Sequence, residues 1–292
     1  MLFRSEGEIA EAAHVFTEMG CDEQMWDYEG KGADVDVVLK LLQRNPEFFR
    51  SHPLGRDCRL TLRIPNPTEE RELRKKTEEA LHSITTAYDI ATAFYQNTEP
   101  PIFEVILPFT TSAEQLVLVD SYYRQEVAGK GQHALPGGKK VASWLGDYLP
   151  ESINVIPLVE DRTHLLEIDK LVEKYLTMLD RKVDHLRVFV ARSDPALQTG
   201  MVAATLLAKV ALGKLAKLEQ RAGVPIYPII GVGGVPFRGN FRPHRVNRVL
   251  EEYPSVRTFT VQSSFKFDHP ASEVQEAIER LKTASQIGRA HV

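Results

Sequence analysis

Residues 186–231 read LRVFVARSDPALQTGMVAATLLAKVALGKLAKLEQRAGVPIYPIIG. Two apolar runs, 186–191 and 225–230, flank a helical stretch at 196–221. A short, mainly apolar run between turn residues reads as a strand buried on both faces. Two such strands joined by a long helix cannot be hairpin partners. They lie parallel and are linked by a right-handed crossover. The alternation continues outward. Toward the C-terminus come a helix at 246–253, a strand at 257–264 and a helix at 271–284. Toward the N-terminus come strands at 153–159, 103–107, 58–64 and 21–26. Helices at 165–179, 112–127, 68–96, 35–42 and 8–19 separate or precede them, with Thr68 the expected N-cap of the long one.

This order predicts an α/β protein built on parallel strands. Seven strand candidates are one short of a TIM-type (β/α)8 barrel. The expectation is therefore an incomplete barrel with its first strand missing, forming a single partial catalytic domain over residues 6–286. An open doubly wound sheet is the rival architecture.

Composition narrows the class. The chain has 292 residues, 43% hydrophobic and 26% charged, with a net charge of -4. That balance gives no reason to expect nucleic acid or an anionic membrane as partner. No apolar run reaches the roughly 18 residues of a membrane helix, and no signal peptide stands at the start. Cys21 and Cys58 have no metal-type spacing and suit a reducing compartment, the cytoplasm. The two ends are expected to have a different origin. Ile287 to Val292 is what a common sequencing adapter encodes in frame, and Leu2 to Ser5 matches its reverse complement. The natural sequence is expected to run from about Glu6 to Gln286, and resequencing across both junctions tests this.

The chemistry gathers just after the strands. Polar residues recur there: Asp22, Asp27 and Glu29; Arg63 and Asn66; Glu160 and Arg162; Arg192, Ser193 and Asp194; Arg238 and Arg242; Gln262, Ser264 and Lys266. In a barrel these loops converge on one site. Glu160 and Asp194 each follow an apolar strand within a few residues, and two such carboxylates can supply part of a Mg²⁺ shell. Each could equally cap the following helix, Asp194 above all, because Pro195 suits a first helical turn. The segment IIGVGGVPFRGNFRP, residues 229–243, brings Gly231, Gly233 and Gly234 together with Arg238 and Arg242. Glycine permits close backbone approach and arginine offers a donor fork for carboxylate or phosphate, so the segment reads as an anion-binding loop. It is not the dinucleotide fingerprint, because Pro236 occupies the last glycine position. With Arg63 and Arg192 the site would be strongly cationic. The run 134–140, ALPGGKK, reads as a surface turn, with a mobile lid as the sharper alternative.

Laid end to end, GCDEQMWDYEGK, LRIPNP, FEVILPFT, VIPLVED, ARSDPALQTG, GVGGVPFRGNFRP and TVQSSFKFD resemble archaeal-type phosphoenolpyruvate carboxylase, in that family's order. The resemblance implies a TIM-type barrel and the carboxylation of phosphoenolpyruvate by bicarbonate, through carboxyphosphate and a metal-bound enolate, to oxaloacetate and phosphate. It implies Mg²⁺ or Mn²⁺ at Glu160 and Asp194. It makes Arg238 and Arg192 catalytic, with Arg63, Arg242, Gly233 and Gly234 substrate-binding. It implies a cytoplasmic homotetramer at full length. The family's Gln-His-Pro-Asp motif, with its expected catalytic histidine, does not occur here. The chain as written is therefore expected to form no oxaloacetate. Two other readings stay open: another metal-dependent barrel lyase or phosphotransferase, and a non-catalytic metabolite-binding protein.

Overall fold

A computed structural model describes residues 2–28, 33–97 and 99–286. Glu29 and Lys31, and the adapter-like segment at 287–292, lie outside the described residues. The chain is α/β. Its strands are β1 (Glu23–Asp27), β2 (Arg59–Arg63), β3 (Glu104–Leu107), β4 (Asn154–Val159), β5 (Leu186–Ala191), β6 (Ile226–Gly231) and β7 (Thr258–Phe259). The strand order follows chain order from β1 to β7, and the pairings are parallel. A doubly wound sheet reverses its strand order at a switch point, and among the described residues neither β1–β3 nor β4–β7 shows a reversal. The α-helices are α1 (Leu2–Thr17), α2 (Val37–Arg44), α3 (Pro46–Ser51), α4 (Arg74–Tyr95), α5 (Ala113–Tyr122), α6 (Ala142–Leu145) and α7 (Arg162–Leu166). They continue with α8 (Ile168–Met178), α9 (Ser193–Thr199), α10 (Met201–Ala222), α11 (Val246–Glu252), α12 (Ser263–Phe267) and α13 (Ala271–Gln286). No helix among the described residues is long and apolar enough to cross a membrane.

The chain forms two compact units. The first comprises Met1–Thr17, Glu23–Leu107 and Gln115–Val155. Its strands β1, β2 and β3 are paired with Asp27 opposite Arg63 and Arg63 opposite Ile106. Side chains alternate across a strand. Leu60, Leu62 and Ile64 are buried on one face. The other face is polar: Thr61 donates to Glu23, and Arg59 lies 3.7 Å from Glu104.

The second unit comprises Glu18–Asp22, Pro108–Glu114 and Ile156–Val292. There α10 packs on β5 and β6. Its buried residues Ala204, Ala208, Ala211, Leu215 and Leu218 recur at helical spacing, and burying each leucine contributes about 1.5–3 kcal/mol. Gly223 ends the helix with φ +67°, its N–H returning to the carbonyl of Glu219. That left-handed conformation is cheap only for glycine.

Local chemistry shortens several expected elements. Thr68 does not cap the long helix. Asn66 Oδ1 accepts its N–H and Glu70 accepts that of Asn66, so a turn precedes α4. Gly200, at φ +83°, splits the expected 196–221 helix into α9 and α10. The last strand ends at Phe259, and Ser263 already begins α12. The 134–140 run is a closed turn: Ala134 pairs with Lys140, and Gly137 and Gly138 supply its positive φ angles.

Candidate metal and anion site at the strand ends

Strand register assembles the site inside the second unit. Leu158 lies opposite Phe189 and Val159 opposite Val190. The next step brings Glu160 level with Ala191, which pairs with Gly231. The carboxyl ends of β4, β5 and β6 therefore stand in line, and the segments bearing Glu160, Asp194 and Arg238 all leave from that edge. Partners in register share a face, so Glu160 projects from the same side of the sheet as Phe189 and Gly231.

Neither acid caps a helix. Asp161 caps α7, accepting the N–H groups of Thr163 and His164. Glu160 takes no part in that cap. Its Oε2 accepts the N–H of Phe109 at 2.7 Å. Phe109 holds φ +50°, a conformation costly for an aromatic residue and found where a site demands it. Asp194 is the second residue of α9, behind Arg192 at the N-cap position. Its side chain is exposed and bonds to no group among the described residues. No cluster of three or more His, Cys, Asp or Glu able to hold a metal occurs among the described residues. Two carboxylates remain, and Mg²⁺ is ordinarily held by one or two, with water and substrate oxygens completing its shell.

The Gly-Arg loop closes on itself. Gly233 donates to the carbonyl of Arg238 at 2.7 Å, and Phe241 donates to that of Gly233 at 2.8 Å. Gly239 turns the chain at φ +105°. The glycines admit side chains from the β7–α12 connection. A Cβ on Gly233 would stand 2.2 Å from Gln262 Oε1, and one on Gly234 would stand 1.8 Å from Ser264 Oγ. Arg238 is exposed. Its Nη1 donates to Gln262 Oε1 at 3.0 Å, and its Nε and Nη2 bond to no group among the described residues. Arg242 Nε donates to the carbonyl of Gly234 at 3.2 Å.

Arg192 faces the other way. It follows Ala191 by one residue, so strand alternation turns it toward α10. There it is 3% exposed. Its Nη1 donates to the carbonyl of Phe237 at 2.7 Å and its Nη2 to Thr205 Oγ1 at 2.8 Å. Burial raises the pKa of the neighbouring Tyr253 phenol, the Glu252 charge adds to this, and Arg192 opposes it. The phenol stays neutral, and no carboxylate among the described residues pairs with Arg192. Arg63 belongs to the first unit, where Asp27 holds it through two bonds of 3.1 and 2.7 Å. Gln262 and Ser264 received no individual role from sequence reasoning. Their signal is the Gly233-Gly234 pair, whose bare backbone needs side chains to fill the space beside it.

The family model for phosphoenolpyruvate carboxylase matches residues 2–291. The enzyme of that name from Methanothermobacter thermautotrophicus is 50% identical over 285 residues, which is 98% of this chain and 58% of the relative. That from Pyrococcus furiosus is 46% identical over 98% of this chain and 60% of the relative. The chain thus spans under two thirds of these relatives' length. Among solved structures, RipC from Yersinia pestis aligns over 90% of this chain and 89% of its own, with a TM-score of 0.46 and 15% identity, too remote to argue from.

Proposed function

This chain belongs to the phosphoenolpyruvate carboxylase family, and on that footing we propose that its second unit carries the metal- and phosphate-binding half of a carboxylase site. The substrates are phosphoenolpyruvate and bicarbonate, and the products are oxaloacetate and phosphate. The observation carrying this reading is the pair Glu160 and Asp194. Asp161 does the capping that Glu160 would otherwise do, and Asp194 extends free of protein partners among the described residues.

The oxygen donors fit Mg²⁺ or Mn²⁺, and Glu160 and Asp194 would hold it. Bound there, the cation supplies positive charge that stabilises an enolate oxygen. The chain's own residues do the rest. A bicarbonate oxygen attacks phosphorus, the bond from phosphorus to the enol oxygen breaks, and carboxyphosphate and the pyruvate enolate result. Arg238 meets the transferring phosphoryl group with the donors that Gln262 leaves open, and stabilises its charge where it develops. Carboxyphosphate then loses CO₂, leaving phosphate, and the enolate carbon attacks the CO₂. Arg192 holds the loop carrying Arg238, and its buried charge adds to the attraction for anions. Arg242, Gly233 and Gly234 fix the loop's shape. Phe109 and Val235, each 41% exposed, are suited to keeping water from an enolate whose protonation would yield only pyruvate. The finer reading of the fold is a TIM-type barrel, supported by the chain-order parallel strands. A cytoplasmic homotetramer completes it.

Arg238→Ala is expected to weaken phosphoenolpyruvate binding about 10- to 100-fold, since hydrogen bonds to a charged group contribute about 1.5–3 kcal/mol. Calorimetric titration in the presence of Mg²⁺ measures this. Unchanged affinity would remove Arg238 from the site.

A further inference from the structure

We infer that Gln262 is a positioning residue that aims Arg238, and that Gly233 lacks a side chain in order to admit it. The inference rests on the reading of Arg238 as the anion-binding arginine.

Gln262 comes from the connection after β7, and Arg238 from the connection after β6. Hydrogen bonds tie the segment after β7 to the end of β6 and to the connection that follows it. Thr260 donates its backbone N–H to the carbonyl of Ile230 at 3.1 Å. Thr260 Oγ1 donates to the carbonyl of Val232 at 3.0 Å. Arg238 Nη1 donates to Gln262 Oε1 at 3.0 Å. The third acts on the functional group itself. Gln262 stands at the N-cap position of α12, yet its side chain makes no capping bond. The carboxamide reaches instead into the space beside Gly233, where Oε1 would be 2.2 Å and Cδ 2.9 Å from any Cβ. Ser264 fills the corresponding space beside Gly234. Any side chain at 233 would push the acceptor away from Arg238.

An exposed arginine has several rotatable bonds, and ordering it costs side-chain entropy on binding. One fixed neutral acceptor lowers that cost. A neutral carboxamide also leaves the positive charge undiminished, which a carboxylate at the same place would not. The far side of the loop is anchored separately, by Arg192 on the Phe237 carbonyl. Arg238 therefore sits on a segment fixed behind and aimed from the side. The same signal is visible in the sequence once the partner is known: Gly233-Gly234 in one strand-end segment and Gln262-x-Ser264 in the next.

The test is a set of titrations on the 292-residue chain with phosphoenolpyruvate in Mg²⁺, and with Mg²⁺ alone. Gln262→Met keeps the volume and removes the acceptor. It is expected to weaken phosphoenolpyruvate binding several-fold and to leave Mg²⁺ affinity unchanged. Added to Arg238→Ala it should cost nothing further, because it acts through that arginine. Gly233→Ala leaves Gln262 unaltered but sets a Cβ 2.2 Å from its Oε1 and 3.2 Å from Arg238 Cβ; it should weaken binding in the parent background and cost nothing further in Arg238→Ala. This keeps the inference testable if the methionine variant is unstable. Additive losses in the double variants would overturn the inference. So would full affinity in Gln262→Met and Gly233→Ala while Arg238→Ala is weakened, and that result would leave the functional reading standing. Full affinity in Arg238→Ala would overturn the functional reading and the inference together.

Discussion

Glu160→Gln and Asp194→Asn are each expected to lower Mg²⁺ affinity by more than the roughly 100-fold that removal of an outer-shell partner can cost. Each substitution nearly preserves volume and removes one negative charge. Neither breaks a cap, because Asp161 caps α7 and Arg192 occupies the N-cap position of α9. A pair serving only the fold would give stability changes with metal affinity intact. The expected pattern is the reverse: thermal midpoints near that of the parent chain without metal, and loss of the stabilisation that Mg²⁺ gives to whatever state binds it. Glu160→Gln carries a further signature. Its Oε2 accepts the Phe109 N–H, and a carboxamide oxygen can still accept there. Phe109 should keep its place while the metal is lost. Titration calorimetry with Mg²⁺, with Mn²⁺ binding by electron paramagnetic resonance as a second probe, reads both variants.

Arg192→Ala is expected to be strongly destabilising, costing about 3 kcal/mol or more. Two effects combine. The Phe237 carbonyl and Thr205 hydroxyl lose their charged donor, and truncation leaves a cavity beside the buried Tyr253 ring. Arg192→Lys should recover only part of the loss, since an ammonium lacks the planar fork that reaches two acceptors at once. Phosphoenolpyruvate binding should fall along with stability, because Phe237 and Arg238 share one short helical turn. Urea unfolding of the two variants measures the first effect, and calorimetry in Mg²⁺ the second. A variant of parental stability would contradict the assigned role.

The alternation of apolar strands and helices is legible because β4, β5 and β6 are largely buried on both faces, and such strands read as mainly apolar runs. The strand ends were legible for the same reason: each run stops at a charged residue or a glycine. What misled was local. RTFTVQ alternates like a strand, yet beyond Phe259 its bonds reach the end of β6 and the loop that follows it. Thr68 has a capping side chain, yet Asn66 and Glu70 had already taken the turn. Within the site, Glu160 and Asp194 could be picked out as acids at strand ends. Their release from capping could not, since that depends on Asp161 and on where α9 begins. In sequence Arg192 reads as one of the site's arginines, though strand parity places it opposite Ala191 and so against α10. In sequence the glycines read as backbone that a ligand can approach closely. They are room for Gln262 and Ser264, and no local spacing reveals partners so far along the chain.

The central claim is that Glu160, Asp194 and Arg238 form one site, so that metal and substrate anion bind together. It is tested most directly by titrating phosphoenolpyruvate into the chain with and without Mg²⁺. Coupled sites typically differ by 1–3 kcal/mol. The account predicts binding about tenfold or more tighter in Mg²⁺, with the difference abolished in the Glu160→Gln/Asp194→Asn double variant. Equal affinity with and without the metal, or a difference that survives the double substitution, would contradict it.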